Sequence, residues 1–168
     1  MSELRARGRD RERGASLVEF ALVVPLLSLF LFGIVQFGIA YDKQQSINSG
    51  AREGARLAAL DSSTLADIST RSVQASDASA TGNDPKVVVS DSSGAVAGVR
   101  CPGGAYSKTD TCASPAAVNE AEADLMPCGR AAPSAYATVI VSTPYDITIP
   151  FWGVQPVTID SEAQFRCE

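Results

Sequence analysis

The chain has 168 residues, 14 basic and 19 acidic, for a formal charge of -5, and it contains no histidine. That length excludes a large multidomain enzyme and leaves room for one ordinary domain, or a small domain with an accessory segment. Without histidine the usual general base, proton shuttle and metal ligand are all missing, which makes catalysis the weaker expectation.

The charge is unevenly spread. Residues 1–14 (MSELRARGRDRERG) hold five arginines and three acids, whereas residues 15–168 hold nine basic and sixteen acidic side chains. A short basic head therefore precedes an acidic body. Such a body argues against nucleic acid as a partner, because phosphate binding needs concentrated Lys or Arg. The head itself is too short to be a domain.

From Phe20 to Tyr41 the chain runs through 22 residues without a charge, between Glu19 and Asp42. As a helix this run spans about 33 Å, which matches a hydrocarbon core of about 30 Å. It is apolar on every side, whereas a core helix of a soluble protein shows a polar stripe, so it reads as transmembrane. Pro25 lies inside it and removes the donor for the Ala21 carbonyl, which predicts a kink or a local defect. Five arginines before the run and a single lysine shortly after it put the N-terminus in the cytoplasm and the body outside. A secretory signal peptide is the competing reading, since Gly38-Ile39-Ala40 offers a small-x-small site. Its apolar region is ordinarily shorter, about 7 to 15 residues.

The segment Arg13-Gly14-Ala15-Ser16-Leu17-Val18-Glu19-Phe20 carries the sharpest signal. A carboxylate at the mouth of an apolar helix is costly unless paired, so Glu19 is a functional candidate. A cut after Gly14 would give Ala15 a free amine one helical turn from Glu19, or facing the Glu19 of a neighbouring subunit. Glycine suits such a cut, because without a Cβ its backbone enters a tight protease cleft in extended form. The bland alternative is an interfacial acid favoured by the helix dipole.

Together with Ala51 to Ala59 (AREGARLAA), the stretch Arg13 to Leu26 resembles the TadE-like minor pseudopilins of the tight-adherence pilus, a type IV pilin-like family with a class III signal. The resemblance covers about the first 60 residues. It implies cleavage by a prepilin peptidase between Gly14 and Ala15, with Glu19 and Phe20 serving recognition or packing of the mature N-terminus. It also implies pilus biogenesis rather than catalysis. The partners would be the prepilin peptidase, other pilins and pseudopilins, and the pilus assembly platform in the membrane.

Residues 42–60 continue as a helix former, with Ile47, Ala51, Ala55 and Ala58 at helical spacing. One helix from about Ser16 to Leu60 would be roughly 65 Å long. Its small face at Ala51, Gly54, Ala55 and Ala58 permits close approach of another helix or a sheet. Arg52, Glu53 and Arg56 read either as a solvated face or, following the family pattern, as part of a subunit or domain packing surface.

Further on, Leu65, Ile68, Ser72 and Ala75 allow a weakly amphipathic helix, with Thr64 and Asp67 in capping-box spacing and Asn83-Asp84-Pro85 as its breaker. Lys86 to Ser90 is a strand candidate. Ala116 to Leu125 reads as a short acidic helix. Ala137 to Ser142 and Tyr145 to Phe151 read as two strands separated by Pro144. In the last segment Val157, Ile159, Ala163, Phe165 and Cys167 alternate with polar residues, which predicts a strand with one wet face.

A body with so few large apolar residues has a thin core. Cys101, Cys112, Cys128 and Cys167 all follow the apolar run, which fits disulfides in an oxidising compartment. Four cysteines allow three connectivities. The preferred one joins Cys101 to Cys112 around a Gly/Pro-containing loop and Cys128 to Cys167 on the last strand. A zinc site is the weaker reading, since neither C-x-x-C nor histidine is present.

The expected fold is α+β: a long N-terminal helix, transmembrane in its inner half, with a small antiparallel sheet domain packed on its outer half. The expected division is a basic leader at 1–14, a transmembrane helix at 15–41, a helical extension at 42–60 and an extracytoplasmic domain at 61–168. The functional expectation is a minor pilin or pseudopilin without cofactor or small-molecule substrate. The alternative is a single-pass anchored binding module that keeps its leader. An extracytoplasmic enzyme has little support, because there is no G-x-S-x-G and no triad histidine.

Overall fold

The computed structural model describes residues 3–60, 63–76, 84–107, 112, 128, 136–149 and 153–167, residues 3–13 by their backbone alone. Among these residues there are two helices, α1 (Glu3–Ala58) and α2 (Leu65–Ala75). Five strands follow: β1 (Lys86–Ser90), β2 (Val96–Arg100), β3 (Tyr106–Ser107), β4 (Tyr136–Ile149) and β5 (Gly153–Arg166). They form one antiparallel sheet in the order β3-β2-β1-β4-β5. The architecture is the α+β arrangement expected, a long apolar N-terminal helix followed by an antiparallel sheet.

The core lies between this sheet and the outer part of α1. Ile47, Ala51, Ala55 and Ala58 pack with Leu65, Ile68 and Val73 of α2 and with Val87, Val89, Ala137, Val139, Val141 and Ile159 of the sheet. The apolar spacing along α1 accounts for this, since those four residues lie on one stripe. A second, smaller cluster of Val88, Val99 and Cys101 covers the other face of the sheet, with Ile140 and Cys112 packed against it. Val87, Val88 and Val89 are therefore buried on both sides of the sheet's central strand. A continuous valine run suits that position better than an alternating one.

The second helix begins as its sequence predicts. Thr64 accepts from the Asp67 N–H, and the Asp67 carboxylate accepts from the Thr64 N–H, a complete capping box. Disulfides join Cys101 to Cys112 and Cys128 to Cys167. The first ties a loop to the smaller cluster. The second secures the residue that follows β5.

Several expectations need correction. The helix does not begin near Ser16; α1 is continuous from Glu3, passes through Gly14 and Pro25, and ends at Ala58 rather than Leu60. Pro144 does not divide two strands, because β4 runs through it and pairs with β5 there as Pro144↔Thr158. The last β1 partner on β4 is Ser142. Pro144 thus lies beyond the stretch that β1 pairs, so its missing N–H costs the β1–β4 ladder nothing. The alternation in β5 holds where α1 covers it, at Ile159, Ser161 and Ala163, but Val157 and Phe165 at either side are exposed. Strands β2 and β3 were not expected; Gly98 and the short run before Cys101 gave no alternation to read. The acidic helix proposed for Ala116 to Leu125 lies outside the described residues.

Candidate functional site

The candidate site is the N-terminal helix, and its two halves meet different surroundings. From Gly14 to Tyr41 none of its residues is buried. Leu17, Phe20, Leu22, Ile34 and Phe37 expose between 66% and 79% of their surface. Large apolar groups on all faces of a free-standing helix do not suit water. The helix is long and apolar enough to cross a membrane once, which makes it compatible with single-pass anchoring. Inside this run the Ser28 hydroxyl donates to the Val24 carbonyl at 2.8 Å, which keeps its one hydroxyl from remaining unpaired in an apolar setting.

Gly14, Ala15, Glu19 and Phe20 all lie on exposed helical backbone. No atom comes within 4 Å of a Cβ built on Gly14. The glycine is thus not required by packing in the folded chain. Glu19 stands on the same helix, remote from the body.

Beyond Ser46 the same helix is a packing element. A Cβ on Gly50 would lie 2.5 Å from the Ser72 carbonyl oxygen and 2.7 Å from Ser76 Cβ. A Cβ on Gly54 would overlap the Ser72 hydroxyl and come within 3.2 Å of Val139 Cγ1. These two glycines let α2 sit directly on the α1 backbone. Ala51 and Ala55 are fully buried beside them. Glycine here serves close approach, not a special turn.

On the α2 side the seam is made of serines. Ser69, Ser72 and Ser76 are buried and donate to the carbonyls of Ala66, Ile68 and Val73 within their own helix. Ser46 of α1 donates to the Ser76 carbonyl. Each hydroxyl therefore enters the seam already satisfied, so a small polar residue is buried at little cost. Ser69 and Ser76 were missed from sequence, although their three- and four-residue spacing around Ser72 marks one helical face.

Of the AREGAR segment, Ala51, Gly54 and Ala55 face inward, while Arg52 and Arg56 are exposed. Glu53 takes a third course: its carboxylate accepts from Arg71 of α2 at 3.3 Å. Arg56 borders two open grooves, and Arg52 borders the second of them. One, of about 620 Å³, lies between α1 and α2 and is bordered by Glu53, Leu57, Asp67 and Arg71. The other, of about 490 Å³, follows α1 past Tyr41, Gln44 and Asn48 to Phe165.

A polar clamp fixes the far side of the body. Arg100 donates to both Asp84 carboxylate oxygens, at 2.7 and 3.1 Å, and to the Pro85 carbonyl; the Gly103 N–H adds a bond to Asp84 at 2.7 Å. Burial acts to raise the Asp84 pKa, but the hydrogen bonds from Arg100 and Gly103 and the Arg100 charge outweigh it, leaving the carboxyl below its ordinary value. Asp84 and Arg100 were not singled out from sequence as partners, since sixteen residues separate them. Among the described residues, no group of three or more His, Cys, Asp or Glu could hold a metal ion. The arrangement offers surfaces for packing and an apolar helix for insertion.

Residues 14–56 match the family model described as TadE-like protein, so the matched segment begins at Gly14 and ends inside the packing half of α1. No curated protein and no solved structure matches the chain.

Proposed function

We propose that this TadE-like protein is a minor pilin or pseudopilin of a tight-adherence pilus, processed after Gly14 and held in the membrane before incorporation into, or initiation of, a filament. The observation that carries this reading is the family match over residues 14–56 on a helix whose membrane-length half has no buried residue. A TadE-like family is pilus-associated and is not an enzyme family. A helix apolar on every side has one surface for two solvents: lipid before assembly and the helices of other pilins afterwards. The proposed partners follow from that step, namely the prepilin peptidase, neighbouring pilins and the membrane platform.

In this reading the N-terminus lies in the cytoplasm, where five arginines precede the helix, and the disulfide-tied body lies outside. Cleavage would leave the Ala15 amine one turn from Glu19 and remove the leader's charge. The helix is continuous across Gly14. A protease that cuts extended backbone must therefore unwind this stretch first, and glycine lowers the helical preference there by about 1 kcal/mol relative to alanine.

The N-terminal sequence and intact mass of protein from membranes and sheared surface material test the reading. A start at Ala15 is expected, and Gly14→Leu should retain the full leader. An intact Arg-rich leader in the presence of the peptidase would instead make this a single-pass anchored binding module.

A further inference from the structure

The outer half of α1 buries one stripe against the body and leaves the opposite one bare. Asp42, Gln45, Ser49, Arg52 and Arg56 are exposed, at the three- and four-residue steps that place them on one side of a helix. The same side continues down into the uncharged run. Leu31, Gly38, Gln45 and Arg52 recur every seven residues, about two turns, and all four are exposed.

Two cations on this stripe lack what other cations of the body have. Arg71 pairs with Glu53, and Arg100 with Asp84. Arg52 and Arg56 make no hydrogen bond or ion pair among the described residues, although residues 42–168 hold fifteen acidic side chains against nine basic ones. Glu53 lies between them in sequence but is engaged by Arg71. Asp42, the next acid along the stripe, is about 15 Å from Arg52 by helical rise. Both arginines line the groove of about 490 Å³ beside α1, whose walls are the amides of Gln44, Gln45 and Asn48. Tyr41 and Phe165, 67% and 41% exposed, give it apolar ends.

Geometry narrows what this groove can hold. Arg52 and Arg56 are four residues apart, about 6 Å along the axis, which matches carboxylates one turn apart on a facing helix; each guanidinium can take a carboxylate through two parallel N–H bonds. Lipid headgroups do not reach them. The headgroup layer is about 5–8 Å deep on each side of the hydrocarbon, whereas the two arginines stand about 16 and 22 Å beyond Tyr41 by helical rise. A second copy does not fit either. Copies that cross one membrane in the same direction stand at the same height, so the arginines of one meet the arginines of the other, and such like-charge contacts are costly.

We propose that Arg52 and Arg56 dock an acidic helix of a different membrane-anchored subunit, which seats carboxylates one turn apart in the groove between α1 and Phe165. The proposal rests on the membrane-anchored reading above. A helix that lies along the exposed side of α1 within the bilayer enters this groove as it leaves the bilayer. The arginine pair then selects by charge. Helices with Asp or Glu at that height are held, and further copies of this chain are turned away.

Arg52→Lys/Arg56→Lys keeps both charges and supplies amines that a carbodiimide couples to carboxylates in direct contact, forming an amide as the reagent is hydrated to its urea. The full chain with these substitutions is expressed in the cells that normally make it, membranes are treated, and the cross-linked peptides are identified by mass. Coupling of positions 52 and 56 to carboxylates three or four residues apart in another membrane protein is expected. Adding 0.5 M salt beforehand (roughly 4 Å screening length) should lower the yield at least fivefold. The same protein should co-purify with the wild-type chain, and about tenfold less of it with Arg52→Gln/Arg56→Gln, the scale of two exposed ion pairs. The unfolding midpoint of that variant should not move; a midpoint that falls together with the partner assigns the arginines to the fold and overturns the docking. Coupling confined to carboxylates of this chain, to lipid, or absent altogether from membrane-bound protein overturns it too. Recovery of the chain in the soluble fraction overturns the anchored reading itself.

Discussion

The two halves of α1 use apolar residues in opposite ways. From Gly14 to Tyr41 the side chains are large and point outward on all sides; from Ile47 to Ala58 they are small and point inward on one stripe. Glycine marks the contrast most sharply. Nothing lies within 4 Å of a Cβ on Gly33, whereas one on Gly54 would overlap the Ser72 hydroxyl. The same residue type is unconstrained by the folded body in one half and indispensable to its packing in the other. Apolarity alone therefore does not identify a packing surface. Size and spacing do.

The strongest way to break the covered half is to release the strand that lies on it. Replacing Cys128 and Cys167 together by serine frees a 39-residue separation and is expected to destabilise the body by roughly 4 kcal/mol. The shorter Cys101–Cys112 separation of 11 residues gives roughly 3 kcal/mol. Urea unfolding of the detergent-solubilised chain, followed by limited proteolysis, measures both. Equal midpoints for the two double variants would show that loop length does not govern their contributions.

A direct test of the comparison uses one substitution at two sites. Gly54→Val is expected to cost about 3 kcal/mol through overpacking against Ser72 and Val139. Gly33→Val should leave the unfolding midpoint of the body within about 0.5 kcal/mol of wild type. If both variants unfold alike, the division of α1 into two environments is wrong.

The Asp84 clamp gives a smaller effect with a pH signature. Its carboxyl has a lowered pKa in the folded chain. Its contribution is therefore present above the unfolded value near 3.8 and disappears as pH falls through the lower folded value. Asp84→Asn should cost about 1.5–3 kcal/mol at neutral pH, the range for a hydrogen bond to a charged group. The difference from wild type should then shrink below pH 3.8. A gap that stays constant down to strong acid would remove the carboxylate from the account. Smallest of all, Glu53→Gln should cost roughly 0.5 kcal/mol, because Arg71 is more than half exposed and such pairs are screened. High salt should abolish that difference.

How much was legible follows the same division. The uncharged run, the capping box at Thr64 and Asp67, the valine strand and the small stripe on α1 each announce themselves within a few neighbouring residues. Their positions agree with the structure because local spacing decides them. The continuity of β4 through Pro144 was not legible, since it depends on the β1 pairing stopping at Ser142, the partner of Lys86, a fact about a strand more than fifty residues away. The serine seam was half visible: Ser72 belonged to the expected apolar face, but Ser69 and Ser76 look like solvent residues until Gly50 and Gly54 bring the helix backbone against them. The Asp84–Arg100 clamp required the β1–β2 turn to fold before the two residues could meet. Glu53 was readable as a charge, but Arg71 was not readable as its partner.

The unbroken course of α1 has a mechanical consequence. The backbone passes from the exposed half into the packed half without a turn, and the upper hairpin runs alongside the helix rather than across its end. A pull on the sheet is therefore delivered along the helix axis and loads the seam in shear, with many side chains sharing the force at once. There is no slack joint to absorb the displacement. The body and the membrane-length rod move as a single piece, so work done on either is felt at the far end.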